Sequence, residues 1–251
     1  MKKISFLLVL FSLVVKASFA SPQTNINKAN KAYQEGLYTS AVELYEKVIK
    51  EGYASSELYY NLGNAYYKLN EIPSSILYYE RALKLDPGNE DIVYNLRVAN
   101  NQIIDKIDQL PKLFYERWWD SLKQMYSPDE WAIFSIVLIT IFFIIIALFL
   151  LSTSINVRRW LLTVGVFVLV LTTLVFIIAN DTYKKAINKH EAIVFAASLS
   201  VKSSPEESGT DLFVIHEGLK VQIIDELTGW KEIKIDNGSK GWVKSETITP
   251  I

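Results

Sequence analysis

Cysteine is absent from all 251 residues, which excludes a disulfide framework, a thiolate nucleophile and any thiolate-held metal. Histidine is scarce too: His190 lies in a linking stretch and His216 stands beside Glu217. Two separated histidines supply neither a base–nucleophile pair nor a ligand set, so a metal site would need carboxylates alone. The acidic pairs Glu206-Glu207 and Asp225-Glu226 fall in polar stretches and read as solvated charge. None of the spaced motifs for phosphate cradling, dinucleotide binding, a nucleophilic serine or histidine-held zinc occurs. The expectation is no enzyme, no cofactor and no metal. An excess of one charge is lacking as well. There are 26 basic and 27 acidic residues, a net charge of −1, with no basic block in the polar regions. Nucleic acid is therefore not an expected partner.

What is present is apolar and unevenly spread. Residues 1–20 open with Met1-Lys2-Lys3, continue through an apolar run from Ile4 to Val15, and place small residues at Ser18 and Ala20. That order reads as a secretory signal peptide cut after Ala20, with an uncleaved anchor as the other reading. Two further runs, Trp131–Leu151 and Trp160–Asn180, each give 21 residues without a charge, long enough to span a bilayer. The first span is read over 128–151, with Ser127 as cap, Pro128 at the first helical position and Glu130 closing a capping box. The second is read over 160–180. The link 152–159 holds Arg158 and Arg159, which favours a cytoplasmic position. Lys184 and Lys185 on the other side oppose this, and the export signal decides it. Both polar parts are then expected outside the membrane. The runs Trp131–Leu151 and Trp160–Asn180 contain no Asp, Glu, Lys, Arg or His, the residues that mark ion paths, which argues against a transporter. Gly165 and Thr172-Thr173 read as packing positions within the hairpin.

Laying 22–55 over 56–89 aligns Ala29 with Gly63, Gly36 with Asn70, Ala41 with Ser75, Tyr45 with Tyr79 and Val48 with Ala82. A 34-residue period with this small and aromatic pattern is the mark of tetratricopeptide repeats, each a pair of helices. The second copy, through Leu62-Gly63-Asn64-Ala65 and Ala82-Leu83-Lys84-Leu85-Asp86-Pro87, lies closer to that pattern than the first. Residues 90–108 keep helical periodicity through Ile92, Leu96, Ala99, Ile103 and Ile107 and read as a capping helix. Arrays of this kind need about three units, so this short one is expected to lean on a neighbour. Residues 111–126 carry Phe114, Tyr115, Trp118, Trp119 and Tyr126. They read as an interfacial helix on membrane lipid, the alternative being a helix packed under the repeats.

Residues 190–250 change to short β-type runs punctuated by Gly218, Gly229 and Asn237-Gly238, the last a hairpin signal. The order Ser200-Val201-Lys202-Ser203-Ser204-Pro205, Gly229-Trp230 and Gly241-Trp242-Val243 resembles a bacterial SH3-like barrel, although Lys202 stands where an arginine is usual. Trp230 and Trp242 read first as barrel core and second as a ligand surface. The whole is thus a multidomain membrane protein: an all-α repeat solenoid, a transmembrane hairpin and a small all-β SH3-like barrel.

A polar stripe on the first helix of each repeat carries the functional content. Asn27, Asn30 and Tyr33 step by three, as do Asn61, Asn64 and Tyr67, with Asn95, Val98 and Asn101 continuing in the cap. Residues so spaced share a helical face, and the resemblance places that face in a concave protein-binding groove. Asparagine both donates to and accepts from a peptide. The other reading is that some of these asparagines brace neighbouring turns. Ile26, Asp91 and Asn95 stand where carboxylate-clamping repeats carry cations, which disfavours that ligand class.

From end to end the order resembles the BatE family of the Bacteroides aerotolerance group. The resemblance is carried by Tyr94-Asn95-Leu96-Arg97, Asp105-Lys106-Ile107-Asp108, Leu110-Pro111, the Trp118–Trp131 segment and Gly241-Trp242-Val243. It implies a two-pass protein of a bacterial inner membrane. Its implied partners are envelope proteins, including Bat proteins with von Willebrand-type domains, and its implied role is in stress tolerance. The alternative is a wall tether in which the SH3-like part holds peptidoglycan and the repeats act as a spacer.

Overall fold

The computed structural model describes residues 21–107, 113–187 and 190–251. The expected signal peptide and the Leu110-Pro111 motif lie outside the described residues. The rest falls into two compact units. One contains residues 21–82, 91–107 and His190–Ile251; the other contains Leu83–Glu90 and 113–187.

In the first unit the repeats form two helix pairs, α1 (Ser21–Gln34) with α2 (Tyr38–Lys50) and α3 (Ser56–Lys68) with α4 (Ile72–Leu85), followed by α5 (Glu90–Asn100). Helix α4 runs on into the second unit. The inner turns explain two aligned positions. Gly36 has φ +78° and Asn70 φ +63°, the left-handed conformation that ends a helix and that glycine and asparagine tolerate best. Ser55 starts α3 by accepting the Leu58 N–H at 3.1 Å, a cap worth about 1 kcal/mol. The apolar stripes then interlock. Ala29, Ala41, Tyr45, Val48, Leu58, Leu62 and Ala65 are buried together, while Ile76, Tyr79, Ala82 and Ile92 are nearly inaccessible.

Helix α5 stops at Asn100, short of the expected 108. The reason lies in where the next two apolar residues go. Ile107 packs against the core of the C-terminal sheet, and Ile103 sits where a Cβ on Gly218 would meet its Cγ2 at 2.5 Å. A continued helix would carry both side chains along its own axis and away from the sheet.

That sheet has seven strands: β1 (Glu191–Val194), β2 (Ser198–Lys202), β3 (Asp211–His216), β4 (Lys220–Leu227), β5 (Trp230–Lys234), β6 (Lys240–Lys244) and β7 (Ile248–Pro250). All pairings are antiparallel, in the order β3-β2-β6-β5-β4-β1-β7. The expected barrel does not close: β3 and β7 remain the two ends of an open order among the described residues. At the β3 end, Asp105 takes the place of a pairing strand. Its Oδ2 accepts the His216 N–H at 2.6 Å, and its Oδ1 lies 2.9 Å from His216 Nδ1. The Asn237-Gly238 turn joins β5 to β6 as expected, with Gly238 at φ +92°. The Gly241-Trp242-Val243 motif divides its labour. A Cβ on Gly241 would fall 2.6 Å from Val201 Cγ1 and 2.8 Å from the Lys202 carbonyl oxygen, so only glycine admits β2 this closely. Val243 is fully buried in the core.

The repeats lean on this sheet. Lys220 Nζ reaches Glu80 at 2.8 Å and Glu191 at 3.2 Å. Arg81 donates to the Pro250 carbonyl at 2.8 Å. Burial works against the Lys220 ammonium, but Glu80 and Glu191 outweigh it and hold its pKa above the usual lysine value.

In the second unit, α6 (Phe114–Lys123), α7 (Pro128–Leu151) and α8 (Ile155–Ile187) follow one another. Only α7 and α8 are long and apolar enough to cross a membrane among the described residues. The Ser127–Glu130 capping box forms, with Pro128 at the start of α7. The link is shorter than 152–159, because α8 begins at Ile155 and takes in Arg158 and Arg159. Gly165 is buried with Ile145 3.3 Å from its would-be Cβ. Thr172 is buried as well, its hydroxyl bonding back to the Val168 carbonyl at 2.7 Å, whereas Thr173 is exposed, so of the expected packing positions Gly165 and Thr172 are the buried ones. Helix α6 lays Trp119 and Leu122 against Trp131, Val175, Ile178 and Ala179, and Phe114, Tyr115 and Trp118 stay exposed.

Candidate functional site

The first helices of the repeats place their polar stripe as the spacing requires, but most of it is engaged internally. Tyr79 on α4 donates its hydroxyl to Asn64 Oδ1 at 2.6 Å, and Tyr45 on α2 makes the same bond to Asn30 Oδ1 at 2.6 Å. These are equivalent residues one repeat apart. Each tyrosine is buried, with its ring in the core and its hydroxyl reaching the stripe. Burial pushes the Tyr45 phenol up to about 12 and raises that of Tyr79 as well. Asn95 on α5 then donates Nδ2 to Asn64 Oδ1 at 3.0 Å and to the Tyr60 hydroxyl at 2.8 Å. Gln102 donates Nε2 to the Tyr67 hydroxyl. The bracing reading of the asparagines therefore has direct structural content at Asn30, Asn64 and Asn95.

What remains accessible is a cavity of about 300 Å³ lined by Tyr33, Tyr60, Asn64, Tyr67, Lys68, Tyr79, Asn95 and Val98. Of the residues expected in the groove, this brings together Tyr33, Asn64, Tyr67 and Asn95. Asn27, Asn30, Asn61 and Asn101 are not in its lining. Asn27 is exposed and accepts a bond from Gln23 at 3.1 Å; Asn61 is half-buried and Asn101 exposed. Tyr33 stands edge-on to Tyr38, with ring centroids 5.3 Å apart, and burial raises its phenol pKa. Sequence reasoning missed Tyr60 and Lys68. The missed signal was the second helical spacing: Tyr60, Asn64, Tyr67 and Lys68 fall at i, i+4, i+7 and i+8, the set that makes one face. Such a surface can hold a polypeptide through ring contacts and side-chain donors. Among the described residues, no group of three or more His, Asp or Glu could hold a metal.

The second candidate surface corrects an expectation. Trp230 and Trp242 are not core: both are half-buried, and neither belongs to the sheet's buried cluster. The register gives the reason. Trp242 pairs with Glu232 and with Lys202, and Trp230 with Lys244, while Ile233 and Val243 point into the core. With side chains alternating along a strand, both indoles lie on the outer face. Lys202 holds the β2–β3 turn, with Nζ 3.1 Å from the Gly209 carbonyl and 3.0 Å from Asp211. A lysine thus serves where an arginine is usual.

Two family models match parts of the chain, one in the helical repeats and one in the C-terminal sheet. No curated protein matches the chain. Residues 56–89 match the tetratricopeptide repeat model, the second of the two helix pairs. Residues 197–249 match the bacterial SH3 domain model, which covers β2 through most of β7.

Proposed function

We propose that the protein is a non-enzymatic, membrane-anchored adaptor that holds an envelope protein in the groove of its helical repeats. The carrying observation is the aromatic and amide cavity on the α3 face, built on the repeat that matches the tetratricopeptide model. Repeats of this kind present a concave surface for protein binding. Two apolar helices supply the anchor. The contacts of Glu80 and Arg81 with the C-terminal sheet support a topology with repeats and sheet on one side, outside a bacterial inner membrane. The same order of parts supports the resemblance to the BatE family. Bat proteins with von Willebrand-type domains are then the first partners to test, and aerotolerance the first phenotype.

The test follows the geometry. Asn64 braces Tyr79, so the variant to use is Tyr60→Ala/Tyr67→Ala in the full chain, with crosslinking in intact cells and identification of captured proteins. A central contact is worth about 2 kcal/mol or more, roughly thirtyfold in affinity. The variant should lose its partner at wild-type abundance. Retention of every partner sinks the reading.

The outward indoles favour one other reading, a wall tether in which Trp230 and Trp242 stack on peptidoglycan sugars or a peptide. Trp230→Ala/Trp242→Ala should then lose sedimentation with peptidoglycan while the sheet stays folded. Unchanged sedimentation removes this alternative.

A further inference from the structure

The hydrogen bonds inside the groove decide what it can still offer. The Tyr60 hydroxyl accepts from Asn95, and the Tyr67 hydroxyl accepts from Gln102. Each phenol therefore keeps its own O–H to donate outward. Asn64 Oδ1 accepts twice, from Tyr79 and from Asn95, which leaves its N–H₂ as the end a ligand can use. Lys68, the one charged residue of the lining, is also only a donor. The rings of Tyr33, Tyr60 and Tyr67 share the lining with these donors.

Such a surface suits a ligand that is rich in acceptors, poor in donors and furnished with flat or ring-shaped apolar groups. A helical peptide keeps its carbonyls for itself, and a strand-forming peptide brings an N–H at every residue, more than Asn95 Oδ1 and the remaining hydroxyl lone pairs can meet. Proline has no N–H, and the extended polyproline helix leaves every carbonyl free and the backbone already ordered. Aromatic-lined grooves recognise that conformation for this reason. We infer that the groove takes a proline-rich segment of its partner in the polyproline conformation. The segment's carbonyls accept from Tyr60, Tyr67 and Asn64, and its pyrrolidine rings lie on the tyrosine faces. This rests on the adaptor reading and narrows it to one class of ligand.

The test uses the full-length protein in detergent micelles and a fluorophore-labelled oligoproline peptide, with a Gly/Ser peptide of equal length as control. Fluorescence anisotropy should report binding of oligoproline and not of the control. Tyr60→Phe/Tyr67→Phe keeps the rings and removes both O–H donors; binding should weaken about tenfold. Hydrogen exchange in α3 and α4 should stay as in wild type, which separates lost contacts from lost folding. Trp230→Ala/Trp242→Ala should bind oligoproline unchanged. Absence of oligoproline binding overturns the inference, as does equal binding of the Gly/Ser peptide, full retention in the tyrosine variant or loss in the tryptophan variant. If oligoproline fails while Tyr60→Ala/Tyr67→Ala still loses its cellular partner, the ligand class is wrong and the adaptor reading stands. If the cellular partner is also retained, both fall.

Discussion

The two helical repeats make the same tyrosine–asparagine bond at the same length, yet they approach each other's helices differently. In the second pair, Gly63 lets the Tyr79 ring lie where a Cβ would stand 2.7 Å away, with the Ser75 carbonyl at 3.3 Å. In the first pair Ala29 occupies the equivalent position and is itself fully buried. The bond from Tyr45 to Asn30 survives the extra methyl. The polar brace, rather than the glycine, is thus the feature both copies share. The tetratricopeptide model matches the second copy, residues 56–89. The repeat tolerates a changed contact residue as long as the tyrosine on the second helix can reach the asparagine on the first.

The largest effect expected from this comparison is alkaline. The Tyr45 phenol is raised from its ordinary value of 10.0 to about 12 by burial, with Tyr33 and Glu57 adding to it. An unfolded chain releases that proton first. The stabilisation is therefore complete below pH 10, falls as pH rises from there, and is exhausted near 12. For one such group the loss is about 2–3 kcal/mol, and Tyr79 adds a loss of the same sign. Circular dichroism of the full chain in micelles should show helix loss over this window. Tyr45→Phe and Tyr79→Phe should each shallow the pH dependence, at the cost of the bond to asparagine. A transition that is unchanged in both variants contradicts the shared brace.

A smaller effect distinguishes the copies. Gly63→Ala forces a methyl against a ring that is 2% exposed and tied to Asn64, so the ring cannot give. Overpacking of this kind costs about 1–3 kcal/mol, offset in part by alanine's helix preference of about 1 kcal/mol. Protection of α3 and α4 amides against hydrogen exchange should drop. At the first pair, Ala29→Gly loses helix preference and a buried methyl instead. If Gly63→Ala proves neutral, the helices have room to separate and the two copies are equivalent.

How far these differences were legible follows from what each residue does. The period of 34 exposed the helix pairs and the turns at Gly36 and Asn70, because backbone conformation imposes residue type directly. It also pointed to the stripe of Asn30, Asn64 and Asn95. It did not reveal that Asn30 and Asn64 face tyrosines fifteen positions on or that Asn95 reaches back to Tyr60, because a pattern of residue types does not say which partner takes a lone pair. Ile103 and Ile107 continued a helical spacing that the chain abandons, since their packing partners are in the C-terminal sheet. The strands of the sheet were readable from alternation and turn glycines. The face of Trp230 and Trp242 was not, because it depends on register against Lys244 and Glu232. Strand β7 is not legible in the sequence: three residues ending in Pro250 carry too little alternation to be seen, and only pairing with β1 makes them a strand.

The smallest effect tests whether the two inner turns are truly interchangeable. Gly36 has φ +78° with nothing within 4 Å of a built Cβ, so a side chain there meets only backbone strain. Gly36→Ala should cost about 1 kcal/mol. Asn70 adopts the same region at φ +63°, and asparagine enters it more readily than other non-glycine residues. Exchanging the residues one at a time, Gly36→Asn and Asn70→Gly, should change stability by only a few tenths of a kcal/mol, because each turn receives a residue the other already uses. Asn70→Ala should resemble Gly36→Ala. Urea titration of the full chain, read by exchange of the α1 and α3 C-terminal amides, resolves these differences locally rather than globally. If Gly36→Asn costs as much as Gly36→Ala, space or an unequal turn geometry, not the left-handed backbone, sets the residue at this position, and the turns are alike only in outline.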